Sequence, residues 1–213
     1  MWLNGGFMKK AILFLMLTLA MVYGLWSMDC LSAERAEKVL FSDDFTKDSG
    51  KWEVYAGDWE IQKGEYVATE VGEGMAVAGD ENWKNYAYEV KFRTDEPGTD
   101  SWLTSWVVFR VADPDNWYFV LLHHGNNFIE MGKRFNGQHV SWLQGINDKE
   151  VADPLKWQKM RIECKGANIK VFIDGKNYLD FTDPEPIENG KVGIKNTNCT
   201  CRIDDVKVTE LPK

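Results

Sequence analysis

Tyr86-Ala-Tyr-Glu-Val-Lys-Phe-Arg93 alternates without a break: Tyr86, Tyr88, Val90 and Phe92 fall on one face, Ala87, Glu89, Lys91 and Arg93 on the other. A period of two marks a half-buried strand, because successive side chains leave a strand on opposite sides. Met160-Arg-Ile-Glu-Cys164 alternates in the same way. Ile169-Lys-Val-Phe-Ile173 runs into Asp174-Gly175, a pair that tolerates the positive φ of a hairpin turn. Similar punctuation recurs at Lys63-Gly64, Asn136-Gly137 and Asn189-Gly190. Candidate strands follow at 39–45, 52–55, 58–62, 65–70, 74–78, 86–94, 104–112, 116–124, 127–135, 139–143, 157–165, 168–174, 177–182, 190–196 and 201–209. No window carries a helical apolar stripe. The turn spacing predicts an all-β, two-sheet antiparallel sandwich in one domain over 39–211.

Composition agrees. The chain has 213 residues, 44% of them hydrophobic and 27% charged, enough apolar mass for one sizeable domain and too much for a disordered chain. Collagen-like and coiled-coil periods are absent. The formal charge is −8, and no cluster of Lys and Arg supplies the phosphate-binding surface that nucleic acid needs, so nucleic acid is excluded as a partner. Ten tryptophans are an unusual number for this length.

The first residues differ from the rest. Lys9-Lys10 precede Ala11–Trp26, an uncharged and almost wholly apolar run, and Leu31-Ser32-Ala33 follow. A positive start, a short apolar stretch and small residues before a cut make a signal peptide over 1–33. The run is short for a membrane span, which takes about 20 residues. The expectation is therefore a secreted, periplasmic or cell-surface protein, with no stable membrane insertion once the leader is cut after Ala33. A lipoprotein anchor at Cys30 is the weaker alternative, since Asp29 sits where lipid attachment wants a small neutral residue; an uncleaved anchor is a further one. Met8 is an alternative start. Beyond the leader stand Cys164, Cys199 and Cys201. Cys164 paired with Cys199 or Cys201 would suit an oxidising compartment; the other reading makes all three small core residues.

Several stretches then occur in a telling order: Phe41-Ser-Asp-Asp-Phe45 with Trp52; Gly57-Asp-Trp-Glu-Ile-Gln-Lys-Gly-Glu-Tyr66; Trp83-Lys-Asn-Tyr-Ala-Tyr88; Val107-Val-Phe-Arg-Val-Ala-Asp113 with Asn116-Trp-Tyr118; Val171-Phe-Ile-Asp-Gly175; Gly190-Lys-Val-Gly-Ile194; and Asp204-Asp-Val-Lys-Val208. The set resembles the concanavalin A-like lectin/glucanase superfamily, nearest its laminin-G-like and 3-keto-disaccharide-hydrolase-type domains of secreted bacterial proteins, over nearly all of 41–209. The resemblance implies a jelly roll whose concave sheet often carries the ligand. It also implies adjacent first and last strands, often with calcium near their ends. This superfold hosts lectins, glycosidases and adhesion modules alike.

Alternation places Trp106, Val108 and Arg110 on one face of 104–112 and Val107 and Phe109 on the core face. The next strand is apolar on both faces; the resemblance puts Tyr118, Val120 and Leu122 inward, leaving Trp117, Phe119, Leu121 and His123 open. With Glu130 and Arg134 on the following strand and Trp142 beyond the Asn136-Gly137 turn, one face would collect Trp106, Arg110, Trp117, His123, Glu130, Arg134 and Trp142. Trp106, Trp117 and Trp142 would stack on pyranose rings, and Arg110, His123, Glu130 and Arg134 would bind hydroxyls. The expectation is a carbohydrate-binding domain. Glycoside cleavage, hydrolytic or by a 3-keto route, and laminin-G-like protein adhesion are the alternatives. The Glu-x-Asp-x-x-Glu strand of laminarinase-like members is absent, so a catalytic carboxylate pair would need Glu130 with Asp100 or Asp148. Asp43-Asp44 and Asp204-Asp205, brought together by meeting terminal strands, are candidate ligands for a structural calcium; as a bare pattern they also suit turn capping. No motif for an organic cofactor appears. Asn198-Cys-Thr200 matches a glycosylation sequon, which would mean nothing behind a bacterial leader and is given little weight.

Overall fold

The computed structural model describes residues 37–69, 72–151 and 153–212; the leader expected over 1–33 lies outside them. The described residues form strands and turns without a helix. The strands are β1 (Val39–Asp43), β2 (Trp52–Ala56), β3 (Trp59–Gln62), β4 (Glu65–Ala68), β5 (Gly72–Ala78), β6 (Tyr86–Glu96) and β7 (Ser105–Asp113). They continue with β8 (Asn116–His123), β9 (Phe128–Phe135), β10 (Gln138–Asn147), β11 (Gln158–Lys165), β12 (Asn168–Ile173), β13 (Lys176–Thr182) and β14 (Lys191–Glu210). All pairings are antiparallel.

One sheet runs β13-β12-β11-β6-β14, with β4 and β1 along the far edge of β14 and β3 outside β4. The other runs β10-β9-β8-β7-β14-β5-β2. Strand β14 belongs to both. Its first half lies between β7 and β5; its second half lies against β6, β4 and β1. The two strands expected at 190–196 and 201–209 are thus one. The chain crosses between sheets at Asn198, which takes the left-handed conformation (φ 46°), and the ladder shifts register on either side of it. Asn adopts that conformation more readily than other residues with a Cβ.

The faces of β6 fall as the alternation dictates. Tyr86, Tyr88, Val90 and Phe92 enter the space between the sheets, where Met160, Ile162, Val107, Phe109, Tyr118, Val120, Leu122, Ile129 and Met131 meet them. On the solvent side Glu89 pairs with Lys159 and Arg161. Cys164, Cys199 and Cys201 are unpaired and buried in the same core, which settles the alternative in favour of small core residues over a disulfide. Burial pushes the Cys164 and Cys199 thiols up to about 11.

Arg110 departs from expectation. Pairing of β7 with β8 is regular to Phe109 and resumes only at Asp113, and between them Arg110 takes φ 46°. The bulge inverts the alternation. Val111 takes the outer face, and Arg110 is fully buried. Its guanidinium donates to the carbonyls of Ile187 (3.0 Å), Lys84 (3.1 Å) and Gly166 (2.6 Å), so it ties the turns flanking β6, β11 and β14 and is no hydroxyl-binding group. Gly190 makes room for this: a Cβ there would lie 2.4 Å from the Arg110 carbonyl carbon.

A second buried tie holds the segment after β13. Lys133 Nζ donates to Asp183 Oδ2 (2.8 Å) and to the Glu185 carbonyl (2.7 Å), and Tyr118 donates to the same carboxylate (2.5 Å). Burial raises the Asp183 carboxyl, but hydrogen bonds from Lys133, Tyr118 and the Glu185 N–H outweigh it and hold the group below 3.8. Removing one partner of a buried pair strands the other charge. Asp183→Ala is expected to cost about 3 kcal/mol in urea unfolding at neutral pH. A depressed carboxyl stabilises above the unfolded value and ceases to as pH falls through the folded one, so the gap from wild type closes below 3.8. Cys164, Cys199 and Cys201 are expected to resist a thiol reagent at neutral pH in the native protein and to react in concentrated urea.

Candidate functional site

The outer face of the β10–β2 sheet is built in rows by its register. Glu130 of β9 lies opposite Leu121 of β8, Leu121 opposite Trp106 of β7, and Trp106 opposite Lys195 of β14. The next row is Gly132, Phe119, Val108 and Gly193. Trp106, Val108, Val111, Trp117, Phe119 and Leu121 join Met75 and Val77 of β5 in a second apolar cluster, so this sheet is apolar on both faces.

Strand β10 folds a rim over that floor. Val140 pairs with Lys133 and Gln144 with Met131, so Ser141, Trp142 and Leu143 bulge out opposite Gly132 alone. Trp142 takes φ 62° and lies stacked over His123 (6.1 Å between centroids). Below it the His123 imidazole is held between Glu130 Oε2 (3.0 Å at Nε2) and Ser101 Oγ (3.0 Å at Nδ1). His124, in the turn after β8, donates to the carbonyls of Gly98 and Asp100. That fixes the loop bearing Ser101 and Trp102. The Trp102 carbonyl accepts from the Trp106 indole (3.0 Å).

These groups enclose a depression of about 440 Å³ whose lining includes Glu73, Trp102, Trp106, His123, Glu130, His139, Ser141, Trp142 and Lys195. Lys195 reaches Glu73 (2.6 Å) and Thr197 (2.6 Å) and lies 5.0 Å from the centre of the Trp106 ring. Burial lowers its ammonium pKa, against the opposing pull of Glu73. Burial also lowers His139, and Arg134 and Lys195 push it further down.

Of the expected set, Trp106, His123, Glu130 and Trp142 meet here. Trp117 shares the face but is 3% exposed, with its indole donating to the Pro114 carbonyl, which leaves too little ring free to serve as a stacking platform. Arg134 faces a neighbouring depression of about 260 Å³ and contacts Asp115 at 3.3 Å. Arg110 is absent for the reason given above. Neither Asp100 nor Asp148 lines the first depression; the carboxylate that shares it with Glu130 is Glu73. Asp148 is engaged by Lys176 instead. Glu73, Lys195, His139 and Trp102 escaped the sequence reading. The alternation Gly193-x-Lys195-x-Thr197 against core Val192 and Ile194 was the available signal for Lys195.

The aspartates expected to bind calcium are engaged by groups of the chain itself. β1 and β14 do lie side by side. However, Asp43 accepts from the Phe45 N–H, Ser49 and the Trp52 indole, Asp44 from Thr46, and Asp205 pairs with Lys91. Among the described residues no cluster of three or more His, Cys, Asp or Glu could hold a metal.

The family model described as "3-keto-alpha-glucoside-1,2-lyase-like domain" matches residues 37–209. An extracellular exo-alpha-L-arabinofuranosidase of Streptomyces chartreusis is 31% identical over 153 residues, 70% of this chain, and the chain spans 18% of that relative's length. Among solved structures, the carbohydrate-binding module CBM66 from Bacillus subtilis superposes with a TM-score of 0.64 at 16% identity, over 75% of this chain and 96% of that one. A Bacillus licheniformis beta-glucanase superposes at 0.62 and 13% identity, over 83% of this chain and 100% of that one. A laminarinase catalytic domain from Thermotoga petrophila gives 0.59 and 12%, over 83% and 99%. The fold is that of the concanavalin A-like jelly rolls.

The rim depends on Gly132, where a Cβ would lie 2.4 Å from the Phe119 ring and 2.8 Å from the Val140 carbonyl. Gly132→Ala is expected to lower stability by about 1–3 kcal/mol through overpacking. It should also displace the bulge, read as altered fluorescence of Trp142 relative to a Trp142→Phe control.

Proposed function

The chain belongs to the 3-keto-alpha-glucoside-1,2-lyase-like domain family, and on that premise we propose that it binds carbohydrate in the depression walled by Trp102 and Trp142. One observation carries the reading. Among the described residues the exposed large hydrophobics are Val39, Val54, Trp102, Val140, Trp142 and Leu155, and the two aromatic ones, 42% and 60% exposed, border the same depression. An exposed indole costs solubility unless its face has a use, and the C–H face of a pyranose is a fitting partner. Between the two rings lie hydrogen-bonding groups of both kinds: Glu130 and Glu73 accept, Lys195 donates, and His123, His139 and Ser141 serve hydroxyls. The carbohydrate-binding-module likeness supports the same reading, and the relative named extracellular supports export through the leader over 1–33.

Cleavage is the second reading, favoured by two carboxylates in one depression together with an imidazole fixed against one of them. Glycoside cleavage draws on such carboxylate pairs. The family description adds 3-keto-alpha-glucosides as compounds to try.

The test is a glycan array followed by calorimetry on the best ligand. Trp142→Ala should weaken binding about tenfold, the loss of roughly 1.4 kcal/mol of stacking. A wild-type protein that binds no glycan, or a Trp142→Ala variant that binds equally well, overturns the site. Product release from native or 3-keto glycosides, lost in Glu130→Gln while affinity stays within a few fold, would establish cleavage over binding alone.

A further inference from the structure

We infer that the ligand is an acidic oligosaccharide, which lays a neutral residue in the first depression and a uronate in the one beside it. This rests on the carbohydrate reading and adds the chemical class of the glycan.

The two depressions are one trough. They share Glu73, His139 and Lys195, and His139 stands at their common border with its ring edge-on to Trp106, Trp117 and Phe119 at 6.3, 5.9 and 6.2 Å. A ligand longer than one ring therefore passes His139 and enters the second depression. The walls there differ from those of the first. Tyr55 is a half-buried aromatic side, Arg134 and Lys195 are the cations, and Glu73 is the lone carboxylate in the lining.

Lys195 is occupied by Glu73, but Arg134 is poorly used. Its bonds to Asp115 are both 3.3 Å, long for a charge-assisted pair, and the Asp115 side chain is 62% exposed. An exposed pair of this kind contributes little. A guanidinium held at a trough wall by so weak a partner can turn to a ligand carboxylate, whose two oxygens match its fork. Burial lowers the His139 pKa, Arg134 and Lys195 lower it further, and Glu73 and Glu130 oppose them, so Arg134 acts on the shared border from the second depression.

The experiment is calorimetric titration of the full protein with oligogalacturonate, oligoalginate and glucuronate-bearing xylo-oligosaccharide. Each is paired with its carboxyl-reduced counterpart, in which the C6 carboxylate has become a hydroxymethyl group. The inference expects at least one acidic member to bind about tenfold tighter than its reduced partner. It also expects added salt to shrink that ratio, Arg134→Gln to bring it to about one, and Arg134→Lys to restore part of it, which separates lost charge from a damaged fold. Equal binding of every acidic and reduced pair, or a preference unchanged in Arg134→Gln, overturns it. Should neutral glycans bind in a Trp142-dependent way while no acidic member gains, this inference fails and the carbohydrate reading stands. Should no glycan of either kind bind, both fail.

Discussion

The pairing of β14 with both sheets is the constraint on which the rest depends. A backbone that leaves one ladder must satisfy its N–H and C=O groups elsewhere, since buried unpaired groups are costly. β14 does this within a few residues. Lys191 to Cys199 pair across β7 and β5, and Thr200 to Glu210 pair across β6, with β4 and β1 beyond. The carbonyls freed at the crossing are not lost: Asn196 Nδ2 donates to those of Cys199 and Gly72. Because the strand is continuous, the placement of the two sheets is set by the backbone at Asn198, where one left-handed residue absorbs the change of direction. The same strand delivers Lys195 to the trough, so the position of the site's buried cation follows from the crossing.

A sheet that is apolar on both faces has consequences for the chemistry laid on it. The inner face closes the core; the outer face forms a dry floor from Trp106, Val108, Phe119 and Leu121. Charges set on such a floor interact more strongly than on an open surface, because less water screens them. Lys195 shows the cost in its lowered pKa, and it is compensated by Glu73, Thr197 and the face of Trp106. The His123–Glu130–Ser101 arrangement is equally sheltered, with His123 and Glu130 7% and 5% exposed.

Strand periodicity made the fold legible. The alternation at 86–93 and the inward set Tyr118, Val120 and Leu122 stand as read, and most strand limits fall within a residue or two. What alternation cannot reveal is a place where it breaks. At Arg110 a single left-handed residue turns a side chain from the outer face to a buried cluster of carbonyls, and no signal in Val-Val-Phe-Arg-Val announces it. Trp117 kept its face but not its freedom, because the ring's burial depends on Pro114, Phe119 and His139, which tertiary packing brings together. Glu73 was hidden for another reason. Glu73 begins to pair with β14 only at the sheet-crossing bend, far away in sequence. The aspartates at the terminal strands were found on a correct adjacency, yet local turns and Lys91 claim their oxygens.

The polar groups of the trough are largely partnered before any ligand arrives, and this decides how affinity and selectivity divide. A sugar hydroxyl that bonds Glu130 or Lys195 competes with His123 or Glu73 for the same atoms, so the exchange yields little net energy. Held in place by those internal bonds, the groups lose little entropy on binding and impose a geometry on the ligand. The indoles of Trp102 and Trp142 are the reverse case, exposed at the border of the trough, so burying their free surface adds free energy with nothing given up but water. Stacking at the rim therefore supplies the affinity, and the satisfied network beneath it supplies orientation. Arg134 belongs to neither class. Weakly paired at the edge to an exposed carboxylate, it is a cation that an incoming anion can take over without stranding a buried partner.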